Sequence, residues 1–256
     1  MKKFSKEPQV IKKLFDQISN NYDKLNNIIT FGRHNIIKKD VINRLEFHSK
    51  HNRFHVVGLE NQTYFPNQSQ ALNTTHYEPK ILDLCTGTGD LAGLLKQKYP
   101  QAKIIGVDFS QEMLNIAKIK HPEIEFLNAD CTQLPFEDEQ FDLCIISFGL
   151  RNVEDIKKVL GEIYRVLKYG GVFINLDLGK PNNFLNFFFK PCMYLWVSSV
   201  GKLFHGDKSP YEYLAVSNED FPSQYQLVEI FKKAGFLNVK NKNYLFGQLA
   251  SQISEK

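Results

Sequence analysis

The sequence predicts an α/β fold built on a mostly parallel sheet. Three observations carry that reading. Short apolar runs alternate with amphipathic helical runs from Lys80 onward, a glycine-bearing turn follows the first of those runs, and the last two strand-like runs lie close enough to form a hairpin. The chain has 256 residues, 43% hydrophobic and 23% charged. That is ample for one such domain with additions, and it excludes disorder of the whole chain.

Each element has its own warrant. Residues 8 to 48 read as helical, because Val10, Leu14, Ile18, Leu25, Ile28 and Ile29 recur at helical spacing and Ile36, Ile37, Val41 and Leu45 continue it. Gly32 breaks the pattern and marks a turn. Residues 49 to 79 are rich in Asn, Gln, Ser, Thr and His with no sustained period, which predicts a long polar loop or insertion with a short strand at Phe54 to Val57. From Lys80 the units are regular. KILDL is a strand, LAGLLKQKY a helix, AKIIGVDFS a strand, QEMLNIAKIK a helix, IEFLNADC a third strand, FDLCIISFGL a fourth, and VEDIKKVLGEIYRVLK a helix. YGG then punctuates, VFINLDL is the fifth strand, SQYQLVEIFKKAG is a helix with Gly235 as its C-cap, and NVKNKNYLF with GQLASQIS forms the hairpin. The expected division is a helical cap over 1–48, a polar insertion over 49–79, and the sheet domain over 80–256 with a cap segment at 182–222.

Composition narrows the function. The net charge of +4 is mild and the basic residues are scattered without interleaved aromatics, which argues against nucleic-acid binding. Cys85, Cys131, Cys144 and Cys192 form no C-x-x-C pair and read as small apolar residues in a reducing compartment. His48, His51, His55 and His76 match no ligand spacing, so no metal site is expected. The start has no apolar signal region and no uninterrupted apolar run is long enough to span a bilayer, so the expectation is a cytoplasmic enzyme.

The best-defined motif is ILDLCTGTGD, Ile81 to Asp90: a buried strand, a turn carrying Gly87 and Gly89, and a helix start. Read literally, Gly87, Gly89 and Ala92 also satisfy a dinucleotide fingerprint. Three acids weigh against that. Asp83 lies inside the first strand, where a carboxylate suits an ammonium group and would repel a pyrophosphate. Asp108 ends the second strand, where an acid accepts ribose hydroxyls. Asp130 ends the third, within reach of an adenine amino group. Together they fit a cationic, phosphate-free nucleoside, S-adenosylmethionine, better than a nicotinamide dinucleotide, although each Asp alone could be a turn or cap residue.

The glycine loop, GVDFS, the LPF loop and RVLKYGG, in this order, resemble the Rossmann-like class I S-adenosylmethionine-dependent methyltransferases. The resemblance implies a mostly parallel seven-stranded sheet with a C-terminal antiparallel hairpin and a helical N-terminal cap. A narrower resemblance is to the UbiE/COQ5 family of menaquinone and ubiquinone C-methyltransferases. It rests on FDQISNNYDKLNNIITFGRHNII (Phe15 to Ile37), ISFGLRNV (Ile146 to Val153), RVLKYGGVFINLDLGKP (Arg165 to Pro181) and GKLFHGDKSPYEYLAVSNEDFPS (Gly201 to Ser223). The chain departs from the family signatures at Leu25, Thr30, Ile37, Tyr169, Asp177 and Gly179. By this resemblance Thr88 belongs to the cofactor loop, Asp108 to the ribose, Asp130 with Cys131 to the adenine, and Ser147 to the end of strand four.

What the resemblance implies chemically is methylation of a ring carbon in a prenylated quinol, a demethylmenaquinol or a 2-polyprenyl-6-methoxy-1,4-benzoquinol. In-line displacement at a sulfonium requires alignment and exclusion of water, and the ring carbon becomes nucleophilic when a hydroxyl gives up its proton. The candidates to assist are Arg151 and Asn152 after strand four, and Tyr22, Asp23 and His34 on the N-terminal helices. Arg151 could stabilise an anion but is a poor base, while His34 has a suitable intrinsic pKa. The aromatic run from Phe184 to Phe204 suits core packing with one lipid-facing edge. Peripheral contact with the inner face of a membrane and a homodimer are both compatible with this reading. The alternatives are a methyltransferase for another small molecule, a non-catalytic subunit binding S-adenosylmethionine or lipid, and a dehydrogenase.

Overall fold

A computed structural model of the protein describes residues 7–30, 32–48, 52–57, 77–181, 213 and 217–256. The aromatic run from Phe184 to Phe204, Cys192, His51 and His76 lie outside the described residues, as does most of the 49–79 and 182–222 segments.

The apolar runs after Lys80 do form the sheet. Its strands are β3 (Lys80–Leu84), β4 (Lys103–Asp108), β5 (Glu125–Asn128), β6 (Phe141–Ser147), β7 (Leu167–Leu178), β8 (Leu237–Tyr244) and β9 (Leu249–Glu255), in spatial order β5-β4-β3-β6-β7-β9-β8. The first five pair in parallel, and β9 runs antiparallel to both β7 and β8. The connecting helices are α4 (Asp90–Lys98), α5 (Gln111–Lys120), α6 (Ile156–Val166) and α7 (Gln224–Lys233). They cover both faces, so the central strands are buried on both sides, which is why KILDL and FDLCIIS read as near-continuous apolar runs. One core packs α4 and α5 against β3, β4 and β6; the other packs α6 and α7 against the opposite face. Helix starts follow the capping residues in the sequence: Ser110, Asp155 and Ser223 each accept a backbone N–H of the first turn, and Ser223 with Gln226 completes a capping box. Gly235 has φ +100°, and the N–H of Phe236 returns to the carbonyl of Phe231, closing α7.

The N-terminal region is three helices, α1 (Pro8–Ile18), α2 (Tyr22–Thr30) and α3 (Arg33–Asn43), followed by a two-stranded hairpin of β1 (Leu45–His48) with β2 (Arg53–Val56). This corrects the helical reading through residue 48. Leu45 continues the helical spacing of α3, but LEFH also alternates, and it pairs with RFHV so that Leu45, Phe54 and Val56 are buried against the sheet domain. The YGG triplet is a second correction. It does not break the chain before the fifth strand; β7 runs through it, with a register shift against β6 and Gly170 at φ +73°.

Because β9 is antiparallel to β7, the turn between β8 and β9 returns to the carboxyl edge of the sheet. Gly179 there lies under Gly247: a Cβ at Gly179 would meet the Gly247 carbonyl oxygen at 2.4 Å. Backbone cannot rotate away as a side chain can. Gly179→Ala is therefore expected to destabilise the fold by about 1–3 kcal/mol through overpacking, measured as a lower denaturation midpoint; an unchanged midpoint would show that the turn can shift freely.

Candidate cofactor and acceptor site

The turn after β3 takes a backbone path that few residues accept. Cys85, Gly87 and Gly89 all have positive φ, at 52°, 58° and 80°. Two glycines satisfy this without strain and Cys85 does not. At Gly89 a Cβ would also press on Phe126, Ala117 and His121 at 3.0–3.2 Å, so the glycine lets α4 lie close to α5 and β5.

Asp108, the last residue of β4, holds this turn. Its Oδ2 accepts the N–H of Gly87 at 2.9 Å and its Oδ1 accepts the N–H of Ser110 at 2.9 Å. Burial pushes its carboxyl up to about 6 despite those backbone donors, and the Asp16 charge adds to the rise. The N–H of Gly89 is engaged by the carbonyl of Thr86 at 3.0 Å. A dinucleotide loop offers such amides to a pyrophosphate. Here two are used internally, and a carboxylate stands beside them.

Above this turn opens a cavity of about 640 Å³ at the carboxyl edge of the parallel strands. Of the residues expected at the cofactor, Gly87, Asp108, Asp130, Cys131 and Ser147 line it. Asp130 lies two residues beyond the end of β5, and its Oδ1 accepts the N–H of Thr132 at 2.8 Å. The Ser147 hydroxyl is buried and has no hydrogen-bond partner among the described residues. Asp83 and Thr88 do not face the cavity. Asp83 is 1% exposed beneath the turn, where it accepts the Thr86 hydroxyl at 2.6 Å, and burial pushes its carboxyl up to about 7. A strand alternates its side chains, so an acid inside a strand can point into the support rather than the site. Thr88 donates its hydroxyl to Asp23 at 2.6 Å.

The N-terminal helices roof the cavity with Pro8, Ile11, Phe15 and Tyr22. Two carboxylates anchor them. Asp16 accepts the Ser110 hydroxyl at the start of α5, and Asp23 accepts Thr88 just before α4. Lys120 bridges Asp23 and Asp90. Asp23 is thus an anchor outside the cavity. His34 also sits apart from the cavity: it is buried, bonded through Nδ1 to the Thr30 hydroxyl at 2.6 Å, and lowered to about 4 by burial and by Lys38. It does not line the cavity. Tyr22 does, above Gly87, and burial raises its hydroxyl pKa.

Asn152 lines the cavity; Arg151 does not. Arg151 turns inward, donating from Nη1 to Asp177 at 2.7 Å and to the carbonyl of Phe148 at 2.7 Å, while its own N–H bonds Asp177 at 3.1 Å. The substitution site Asp177 is therefore the partner of Arg151. Residues that sequence reasoning missed are Asp16, Cys85 and Tyr213. Cys85 had a signal, its place just after β3 in the glycine motif; its free thiol is hydrogen-bonded to that of Cys131 on the cavity wall, and this hydrogen bond, with burial, raises Cys85 above the usual thiol range. Nothing in the local sequence around Asp16 points to Ser110.

The sequence profile of the ubiE/COQ5 methyltransferase family matches residues 2–256. Among curated relatives, the demethylmenaquinone methyltransferase of Lactococcus lactis subsp. lactis (strain IL1403) is 35% identical, the match spanning 96% of this chain and 89% of that protein. That of Staphylococcus saprophyticus is 35% identical over 95% of this chain and 94% of its own length. Among solved structures, a SAM-dependent methyltransferase from Thermotoga maritima is similar with a TM-score of 0.62 at 20% identity, covering 96% of this chain and 99% of that one. Phosphoethanolamine N-methyltransferase 2 of Haemonchus contortus, in complex with S-adenosyl-L-methionine, gives 0.53 at 17% identity, covering 72% and 50%. These two likenesses establish the fold.

The raised carboxyl of Asp83 has a consequence for stability. A carboxyl whose pKa is higher folded than unfolded binds more protons in the folded state between the two values, so stability falls as pH rises through that window. For Asp83 the window runs from the ordinary carboxylate value up to about 7. Against Asp83→Asn, the unliganded protein is expected to lose stability on the order of a few kcal/mol between about pH 4 and 7. Denaturant unfolding across pH checks this, and parallel curves for the two proteins would refute it. His34, lowered to about 4, contributes with opposite sign, gaining stability as pH rises toward its unfolded value, and is present in both proteins.

Proposed function

We infer the reaction from one premise: the chain belongs to the ubiE/COQ5 methyltransferase family and is an S-adenosylmethionine-dependent methyltransferase. We propose that its acceptor is a ring carbon of a prenylated quinol, and that a demethylmenaquinol is preferred over a benzoquinol. The names of the curated relatives favour the first headgroup. The observation that carries the reading is the two-sided cavity: carboxylates and backbone polar groups on the β3–β5 side, and apolar Ile11, Phe15 and Met113 on the other.

The residues present fit the cofactor. S-adenosylmethionine, when bound, supplies an electrophilic methyl group on a cationic sulfur. Asp108 and Asp130 would hold its hydroxyl and amino donors; a carboxylate offers about four acceptor sites, and the backbone of Gly87, Phe109 and Ser110 does not use all of them at Asp108. Gly87 leaves room above the turn, since a Cβ there would meet nothing nearer than Tyr22 at 4.0 Å. Engagement of the Gly87 and Gly89 amides supports a ligand without phosphate and disfavours a nicotinamide dinucleotide.

At the acceptor side the chain's task is to orient the ring, exclude water and steady the oxygen that loses its proton. Ile11, Phe15 and Tyr22 close the cavity from the helical roof. Asn152, Tyr22 and Ser147 bring neutral polar groups to it. Arg151 stands behind Asn152, held by Asp177, and on this reading supports the turn that carries Asn152. The proposed substrate, a prenylated quinol, resides in a membrane, which is the ground for proposing a peripheral approach to its surface; among the described residues no helix is long and apolar enough to cross a membrane.

The decisive experiment is methyl transfer from labelled S-adenosylmethionine to reduced demethylmenaquinol and, in parallel, to reduced demethylated benzoquinol. Product from the first in excess of the second is expected. Binding of the cofactor without transfer to either quinol would refute the reading and leave a non-catalytic binding subunit. Asp108→Ala is expected to weaken cofactor binding by about 1–3 kcal/mol, read by calorimetry; unaltered affinity would remove Asp108 from the contact.

A further inference from the structure

Tyr213 is among the largest fully buried side chains of the protein, 2% exposed, yet it carries a polar group. Its ring packs in the cluster of Ile11, Phe15, Ile18 and Met113, three of which line the cavity. Its hydroxyl donates to Asn152 Oδ1 at 2.9 Å. A buried phenol must place its O–H on an acceptor, and this one places it on a cavity-lining amide.

The consequence concerns the Asn152 amide. An amide has a carbonyl acceptor at one end and two N–H donors at the other, and a flip exchanges them. Asn152 is held at both ends: Nδ2 donates to the Phe148 carbonyl at 3.2 Å, and Oδ1 accepts from Tyr213. The Phe148 end is an acceptor, a carbonyl oxygen that takes both Asn152 Nδ2 and Arg151 Nη1, so a flipped amide would lose that bond and set Oδ1 against another oxygen. A phenol could donate to Oδ1 or accept from a flipped NH₂. Burial pushes its pKa up to about 12, which keeps it protonated and able to donate. The amide is left with one N–H beyond the Phe148 bond.

We propose that Tyr213 is a positioning residue: by donating to Asn152 Oδ1 it fixes the amide so that the remaining N–H points to the acceptor's oxygen and stabilises the charge that develops when that oxygen loses its proton. The proposal rests on the quinol reading above. It adds the residue that sets the polarity of the group facing the acceptor. The chemical class recognised is a ring hydroxyl ionising to a phenolate, for which a fixed donor is favourable and a carbonyl oxygen would be repulsive.

The test is Tyr213→Phe, which keeps the ring in its apolar cluster and removes only the hydroxyl. It is assayed with Asn152→Ala and the double variant, using reduced demethylmenaquinol and labelled S-adenosylmethionine. Expected is a fall in kcat of about 10- to 100-fold with quinol KM, cofactor affinity and thermal midpoint little changed, and no further fall when Tyr213→Phe is added to Asn152→Ala. Full kcat in Tyr213→Phe would overturn the proposal, as would additive losses in the double variant. A lowered thermal midpoint with kcat and cofactor affinity falling together would also overturn it, reducing Tyr213 to a packing residue. A wild-type protein that binds cofactor but methylates neither quinol overturns the quinol reading itself, and this proposal with it.

Discussion

The bond from the Gly87 N–H to the Asp108 carboxylate organises everything around the cavity. It ties the turn after β3 to the end of β4, and the other oxygen of the same carboxylate ties in the start of α5 through Ser110. A buried carboxylate is costly without partners. These two amides compensate it, and they also hold the turn in the positive-φ path that Cys85 accepts only with strain. The turn is therefore held by bonds within the protein. Its amides are turned toward an acid of the protein, which suits a ligand rich in donors and poor in phosphate.

The roof follows from the same geometry. The starts of α4 and α5 present N–H groups without helical partners, one of them capped by Ser110, and the positive end of each helix dipole. Both starts carry a hydroxyl, Thr88 and Ser110, and both hydroxyls are taken by carboxylates of the N-terminal helices, Asp23 and Asp16. The anchors are electrostatically favoured at these places and need no apolar surface, so the inner faces of α1 and α2 remain available to line the cavity. Lys120, bridging Asp23 and Asp90, keeps these two carboxylates from crowding unpaired around the start of α4. Asp16 also raises the Asp108 pKa, so the roof and the base of the site are coupled.

The sheet was legible because its signal is local: apolar runs of strand length, capping residues and glycines each sit where their own backbone needs them. The first hairpin was not, since Leu45 satisfies helical and strand spacing at once and only pairing with Phe54 and Val56 decides. Among site residues, those at strand ends were readable because strand ends face the ligand edge of a parallel sheet. The place of Asp83, buried beneath the turn, was not legible for a physical reason, since a strand offers two faces and the sequence does not label them. The places of His34 and Arg151, off the cavity lining, were not legible for another reason. Each has the right chemistry, but its role depends on partners, Thr30 and Lys38 for one and Asp177 for the other, that only folding assembles. Tyr213 was hidden inside a quoted motif because its function lies in one bond to a residue 61 positions away.

The buried pair of Arg151 and Asp177 shows why the acceptor side works with neutral groups. A guanidinium out of water needs a counter-charge, and Asp177 supplies it at 2.7 Å, with the Arg151 backbone N–H on its second oxygen. Such a pair adds little net charge to its surroundings, and removing either partner would strand the other at a cost of about 3–5 kcal/mol. Its gain is rigidity. Together with the Phe148 N–H bonded to the Leu176 carbonyl, it fixes the turn from Phe148 to Asn152 against β7. That turn presents Asn152 to the cavity and positions it for Tyr213. On the proposed reading the positive charge is thus structural. Stabilisation of the ionising oxygen falls to aligned dipoles, which cost no reorganisation at the moment of transfer.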